Sequence, residues 1–358
     1  MRAPFLSTVS GVALLFFSCS GGDTEPPDTT ALFTEWASLA QSAEEQETIV
    51  VEGQEGWLFF GPELRHLGVG KFWGDAAVAV SKARRPEWAD PLPVILDFRQ
   101  QLSEAGVELL IVPVPPKSII YPDKIPSASN VDLGPEPLPR LDIHHQAFYE
   151  LLRENGVKVL DLTPIFLSNR GHSNGPLYCL QDTHWSGAAI VLAAEQIAIE
   201  VRTYPWFEDE ATTTIQDEWR TVEIAGDLWR ALAEPSLAKE SLSLRFVGTD
   251  SDGTLTPFES DPSSPVVLLG DSHTLVFHSG DDMHAEGAGL ADQLALELGF
   301  AVDLVGVRGS GATAARINLL RRAQQTPDYW ANKRLVIWCF SAREFTESDG
   351  WRIVPIGS

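Results

Sequence analysis

Three short segments of this chain carry residue types suited to covalent catalysis. The first is Gly270-Asp271-Ser272-His273-Thr274, directly after the apolar run Pro265-Val266-Val267-Leu268-Leu269. The run reads as a buried strand, which puts Ser272 at a strand-to-helix turn beside helix N-terminal N–H groups able to stabilise an oxyanion. Gly270 permits the sharp turn. A serine hydroxyl becomes an effective nucleophile only when a base within hydrogen-bond reach takes its proton and a third group orients that base. Gln181-Asp182-Thr183-His184-Trp185 supplies both groups. On an extended segment, positions i and i+2 project to one side, so Asp182 and His184 enter one cleft together with the carboxylate close to the imidazole Nδ1. The third segment is Arg308-Gly309-Ser310-Gly311-Ala312-Thr313, a glycine turn leading into a helix. A glycine there lets a backbone N–H face a developing oxyanion unobstructed. Each segment alone is a weak signal, and Gly309-Ser310-Gly311 lacks the third glycine of a dinucleotide turn.

The elements that must position these residues alternate along the chain from about Thr48 onward. Asp90-Pro91 opens a helical pattern (Leu92, Ile95, Leu96, Phe98, Leu102) that stops at Gly106, and Val107 to Val114 reads as a buried strand. Leu138 to Asn155 is a helix, Val157 to Leu162 a strand and Gly187 to Val201 an Ala/Ile-rich helix. Strand Val266 to Leu269, helix Gly289 to Leu298, strand Ala301 to Val307, helix Ala312 to Gln325 and strand Arg334 to Phe340 complete the series. This alternation predicts a doubly wound α/β fold with a mostly parallel sheet. Residues 203–265 break the rhythm with short polar segments and Trp206, Trp219 and Trp229, and read as an inserted cap region without a core of its own. Gly56-Trp57-Leu58-Phe59-Phe60 reads as a short hairpin edge whose aromatics serve packing.

The remaining features bound the setting. The 358 residues are 44% apolar, enough for a substantial core, and 50 acidic against 26 basic residues leave a net charge of -24. That charge argues against a nucleic-acid partner and against a basic patch on an anionic membrane. Met1-Arg2, an apolar stretch from Phe5 to Phe17 and small residues thereafter have the form of a secretion signal over 1–18, too short to span a membrane. Leu15-Phe16-Phe17-Ser18-Cys19 resembles a bacterial lipobox, which makes Cys19 the expected lipidation site and 19–47 a tether or linker to a domain over 48–358. With Cys19 lipidated, Cys179 and Cys339 are left either as a disulfide or as two buried thiols. His273, His278, Asp281, Asp282 and His284 crowd together but fit no standard zinc spacing, so neither a metal nor a cofactor is expected.

Gly-Asp-Ser after a strand, followed by another strand and a Gly-Ser-Gly-x-Thr turn, resembles the first blocks of the SGNH (GDSL-type) esterase superfamily. The acid–histidine motif here precedes the serine block instead of following it. That order is similar to the circularly permuted SGNH proteins of the alginate O-acetyltransferase group, AlgX and AlgJ. Glu55-Gly56-Trp57-Leu58-Phe59, Pro116-Lys117 to Tyr121-Pro122, and Trp338 through Arg343-Glu344 add to the likeness. The resemblance implies an SGNH-hydrolase-like (flavodoxin-like) domain with Ser272 as nucleophile, His184 as general base and then acid, and Asp182 as its orienting carboxylate. It makes the N–H groups of Ser272 and Gly311 oxyanion donors. Ordinary members add a donor from a Gly-x-Asn-Asp block, where this chain has Phe340-Ser341-Ala342-Arg343. Ser341 or Arg343 is then the candidate substitute, and His278 a candidate for lining the same pocket.

The expected function is an O-acyltransferase, specifically an O-acetyltransferase, at the periplasm or cell envelope of a bacterium. It would take an acyl donor and a polysaccharide acceptor, with a membrane-bound O-acyltransferase as possible partner and a lipid anchor as its only membrane attachment. An SGNH carbohydrate esterase, with water as acceptor, would use the same residues. A non-catalytic polysaccharide-binding lipoprotein is the third reading, and the intact Ser272, His184 and Asp182 speak against it.

Overall fold

The computed structural model describes residues 29–357, apart from 127–132, 134, 135, 137, 211, 214, 235, 252 and 253. The expected secretion signal and Cys19 lie outside the described residues. Among the described residues ten strands form: β1 (Val50–Glu52), β2 (Leu58–Phe60), β3 (Glu108–Val114), β4 (Lys158–Val159), β5 (Gln216–Ile224), β6 (Glu240–Ser251), β7 (Thr254–Thr256), β8 (Val266–Gly270), β9 (Asp303–Gly306) and β10 (Leu335–Ser341). Five make a sheet in the order β4-β3-β10-β8-β9, every pair parallel. β1 and β2 form a hairpin, and β5, β6 and β7 a separate antiparallel sheet.

The central strands are parallel because they are apolar on both faces, which only a sheet covered on both sides can satisfy. Leu110, Val112, Leu268 and Ile337 point into one core, and their neighbours Leu109, Ile111, Val267, Leu269, Val336 and Trp338 into the other. Helices Gly187–Val201 and Leu290–Leu298 fill the first core; Pro91–Glu104, Ile143–Glu154 and Thr313–Gln325 fill the second. The fold is therefore doubly wound α/β. β10, late in the chain, lies between β3 and β8, with Trp338 opposite both Ile111 and Leu269. The chain runs outward from β3 to β4 on one side and from β8 to β9 on the other. A crevice opens at such a reversal, at the carboxyl ends of the strands.

Several boundaries differ from the sequence reading. Residues 30–45 form a helix that buries Leu32, Trp36, Ala40 and Ala43 on one face, so this stretch belongs to the folded domain and not to the linker expected over 19–47. The spacing of four, four and three residues is helical, but Ala40 and Ala43 make the second half of the stripe faint. The strand expected over 157–162 shrinks to Lys158–Val159, because the Asp161 carboxylate accepts from Thr163 N at 3.0 Å and starts a helix there. The inserted region carries the antiparallel sheet and the short helix Asp227–Leu232, and its Ile224, Leu242 and Leu244 join the main core. Cys179 and Cys339 are free, buried thiols. No helix among the described residues is long and apolar enough to cross a membrane.

Candidate active site

β8 delivers Ser272 to the crevice, and Asp271 fixes how it arrives. The Asp271 carboxylate is wholly buried and accepts from His273 N at 2.9 Å, from His273 Nδ1 at 3.1 Å and from Ser341 N at 2.7 Å. The end of β8 is thereby stitched to the end of β10. Burial alone would raise this carboxyl, but His273 and the Ser341 N–H hold it down at about 2. The same burial pushes the His273 imidazole down to about 4 against the pull of Asp271. The helix expected after Ser272 does not form. Ser272–Thr274 is one 3₁₀ turn, and positive φ at Phe277, Gly280, Asp281 and His284 rules out a regular helix beyond it.

His184 meets Ser272 from the other side. Its Nε2 lies 2.7 Å from Ser272 Oγ, and its Nδ1 lies 2.6 Å from Asp182 Oδ1. An ionised carboxylate only accepts, so Nδ1 carries the proton, and the Nε2 lone pair is left to accept from the Ser272 hydroxyl. Asp182 Oδ1 also accepts from His184 N at 3.0 Å, while Oδ2 accepts from Asp227 N at 2.8 Å and His284 Nε2 at 2.9 Å. Burial opposes the charge on Asp182, but His184 and the donors outweigh it and keep the carboxyl well below its ordinary range. Burial likewise opposes a charged His184, and Asp182 outweighs it, holding the ring above 6.5.

The segment bearing this pair is pinned along its backbone. The buried Glu240 carboxylate accepts from Leu180 N at 2.7 Å and Gln181 N at 3.1 Å. Lys117, which opens the short helix Lys117–Ile120 after β3, donates through Nζ to the carbonyls of Leu58, Leu180 (2.9 Å) and Asp182 (3.2 Å). Asp227 accepts from Thr183 N at 2.8 Å and Thr183 Oγ1 at 2.6 Å. Gly226 lies so close beneath that an added Cβ would fall 2.0 Å from Gln181 O. Trp185 Nε1 then donates to His273 O at 3.1 Å, joining the two segments.

The other expected residues divide. Gly311 abuts the nucleophile segment: a Cβ there would lie 2.9 Å from Asp271 Cβ, and its carbonyl accepts from Trp338 Nε1 at 3.1 Å. The Ser341 hydroxyl accepts from Arg343 Nη1 at 2.8 Å, and the guanidinium lies over the Phe60 ring at 5.1 Å. Buried Glu344 accepts from Ser310 Oγ beside this turn, and burial raises its carboxyl to about 7. His278 is engaged by a carboxylate outside the Ser272–His184–Asp182 path. Without the expected helix it turns to Asp292, its Nδ1 2.9 Å from Oδ2. The crowded acids and histidines also part company: Asp282 pairs with Arg308, and His284 reaches Asp182. Asp182, His184 and Asp227 could hold an ion by distance, their ligand atoms all within 4.8 Å, but every one of those atoms is engaged in the hydrogen bonds above. Asp227 and Glu240 carry no sequence signal because each reaches the site from at least 40 residues away, and His284, visible in the sequence only as one of the crowded acids and histidines, gives no hint of its contact with Asp182.

A model of the SGNH hydrolase-like domain of acetyltransferase AlgX matches residues 50–342. The chain is 26% identical over 168 residues to "Probable alginate O-acetylase AlgJ" of Pseudomonas aeruginosa, covering 47% of this chain and 37% of that protein. It is 25% identical over 184 residues to the protein of the same name from Pseudomonas syringae pv. tomato, covering 50% and 40%. These matches thus span about two-fifths of the curated relatives' length. In fold the chain is similar to the O-acetyltransferase domain of Pseudomonas putida AlgJ (TM-score 0.58, 19% identity, 84% of this chain and 92% of that one). It is similar also to Pseudomonas aeruginosa AlgX (TM-score 0.58, 17% identity, 88% and 67%).

Proposed function

Because this chain belongs to the family of SGNH hydrolase-like AlgX acetyltransferase domains, we propose that it is an O-acetyltransferase working through an acyl-serine at Ser272. The observation that carries this reading is the continuous hydrogen-bonded path from Ser272 Oγ through His184 to Asp182, at 2.7 Å and 2.6 Å. In the proposed first step His184 Nε2 takes the hydroxyl proton as Ser272 Oγ bonds to the acyl carbon of the donor. The resulting imidazolium sits against the Asp182 carboxylate, and the oxyanion is met by the N–H groups of Ser272 and Gly311, with Arg343 as the cationic donor beside Ser341. One such donor is typically worth about 10²- to 10³-fold in rate. The proton then passes from His184 to the leaving oxygen, and the acyl group stays on Ser272. In the second half, His184 takes the proton of a sugar hydroxyl, whose oxygen attacks the acyl-serine; collapse returns a proton to Ser272 and releases the acylated sugar.

The acceptor in this proposal is a cell-envelope or exopolysaccharide hydroxyl, as the names of the AlgJ relatives suggest. The setting is outside the cytoplasm, with Cys19 as the lipidated residue and a membrane-bound O-acyltransferase supplying acyl groups. Incubation with an activated acetyl ester, with and without an oligosaccharide acceptor, tests the chemistry while mass spectrometry looks for acetyl-Ser272. Wild type forms the adduct and transfers it to the sugar; Ser272→Ala does neither. Equal turnover by Ser272→Ala would end the serine mechanism, and acetate release indifferent to any acceptor would make the protein an esterase.

A further inference from the structure

We infer that His284 is a positioning residue for the proposed acyl transfer, acting through Asp182 to hold the carboxylate square to His184; this rests on the serine mechanism proposed above. A carboxylate has about four lone-pair sites. Those of Asp182 are filled by His184 N and Nδ1 on Oδ1, and by Asp227 N and His284 Nε2 on Oδ2. Apart from His184, His284 is the one side-chain donor to this carboxylate among the described residues. It reaches Asp182 from 102 residues away, and Asp182 is 0% exposed, so no bulk water can take its place.

The loop that carries His284 is built to present it. His284 has φ 74 and ψ -44, a conformation close to the strained γ-turn and seldom held by a residue with a Cβ. Such a residue persists only where its surroundings over-determine it. Here Phe277 N donates to Met283 O at 2.8 Å, His284 N to Asp281 O at 3.1 Å and Gly280 N to Ala285 O at 2.9 Å. The His284 ring packs against Phe277, with centroids 5.9 Å apart. The bond to Oδ2 stops the carboxylate from rotating, which keeps Oδ1 in line with His184 Nδ1. It also stabilises the ionised carboxylate, so the proton taken from Ser272 stays on His184 and is delivered to the leaving group.

The test is the rate of Ser272 acylation by p-nitrophenyl acetate, read as the nitrophenolate burst per folded molecule. His284→Leu removes the donor. His284→Asn tolerates the positive φ better than most residues but is too short to reach Oδ2. His284→Gln places an amide N–H near the position of Nε2. The Leu and Asn variants should acylate about 10- to 100-fold more slowly with KM within about twofold of wild type, and Gln should recover to within about threefold. A wild-type rate in the Asn variant, or a Gln variant as slow as Leu, overturns the role. Ser272→Ala separates the two claims: if it still acylates, the serine mechanism and the His284 role fall together; if it is inert while His284→Asn is fully active, the His284 role alone fails.

Discussion

At His184 two influences oppose each other: burial disfavours the charged ring and Asp182 favours it, with Asp182 the stronger. A base works only when neutral, so acylation is lost as pH falls through the His184 pKa, and the acid limb of kcat/KM should have its midpoint above 6.5. Asp182→Asn removes the larger of the two carboxylates that oppose burial and leaves only Asp227. Its midpoint should drop below that of wild type, and its rate should fall by up to about 10⁴-fold as the ring loses its orienting partner. A pH–rate profile of p-nitrophenyl acetate turnover from pH 5 to 9 reads both, and a midpoint unmoved by the substitution would show that Asp182 does not set it. Stability carries the opposite sign. A folded pKa above the unfolded one contributes stability at low pH that is lost as pH rises through the folded value, so His184 stabilises most where it catalyses least. These three residues were legible because their cues are local: Ser272 follows an apolar run, and Asp182 and His184 stand two apart. His284 stands in the sequence only among crowded acids and histidines, because the cue to its role is a conformation, φ 74, that no residue pattern announces.

The segment Leu180–His184 is neither helix nor strand, so its shape must come from elements packed around it. Lys117 just past β3, Glu240 at the start of β6 and Asp227 at the start of a short helix each hold part of its backbone. Gly226 sets the closest approach. Its φ of -60 suits any residue, so Gly226→Ala meets only the steric conflict with Gln181 O, 2.0 Å from the added carbon. The segment or the helix must then move apart, and Asp227 N leaves Asp182. Gly226→Ala should lose about 1–3 kcal/mol of stability, as overpacking commonly does, and at least about tenfold in kcat. Thermal unfolding and acylation rates measure the two effects; an unfolding midpoint and rate equal to wild type would mean that the contact does not position the pair. At this scale the sequence was readable where burial repeats a pattern. Parallel strands appear as unbroken apolar runs such as Val266–Leu269, while helix Thr30–Glu45 hid behind a stripe of small residues around Trp36.

Over the whole molecule, the net charge of -24 repels any polyanion that approaches the crevice. The arginines of helix Thr313–Gln325 do not soften this. Arg316 is buried against Phe98 and Trp338, and Arg322 is paired with Asp303. Arg321 bonds to Asn318 on its own helix. Arg343 beside Ser341 is then the cation placed to act locally, against a field summed over the whole surface. The range of that field depends on salt: the screening length falls from about 30 Å at 0.01 M to about 8 Å at 0.15 M. A polyuronate acceptor should therefore be acetylated faster as salt rises across this interval, by roughly tenfold in kcat/KM, while an uncharged glycan of similar length changes by less than about twofold. Acylation of Ser272 by neutral p-nitrophenyl acetate should be equally flat, which separates acceptor approach from chemistry. If transfer to the polyuronate is independent of salt, the overall charge does not reach the site, and acceptor selection rests on contacts within the crevice.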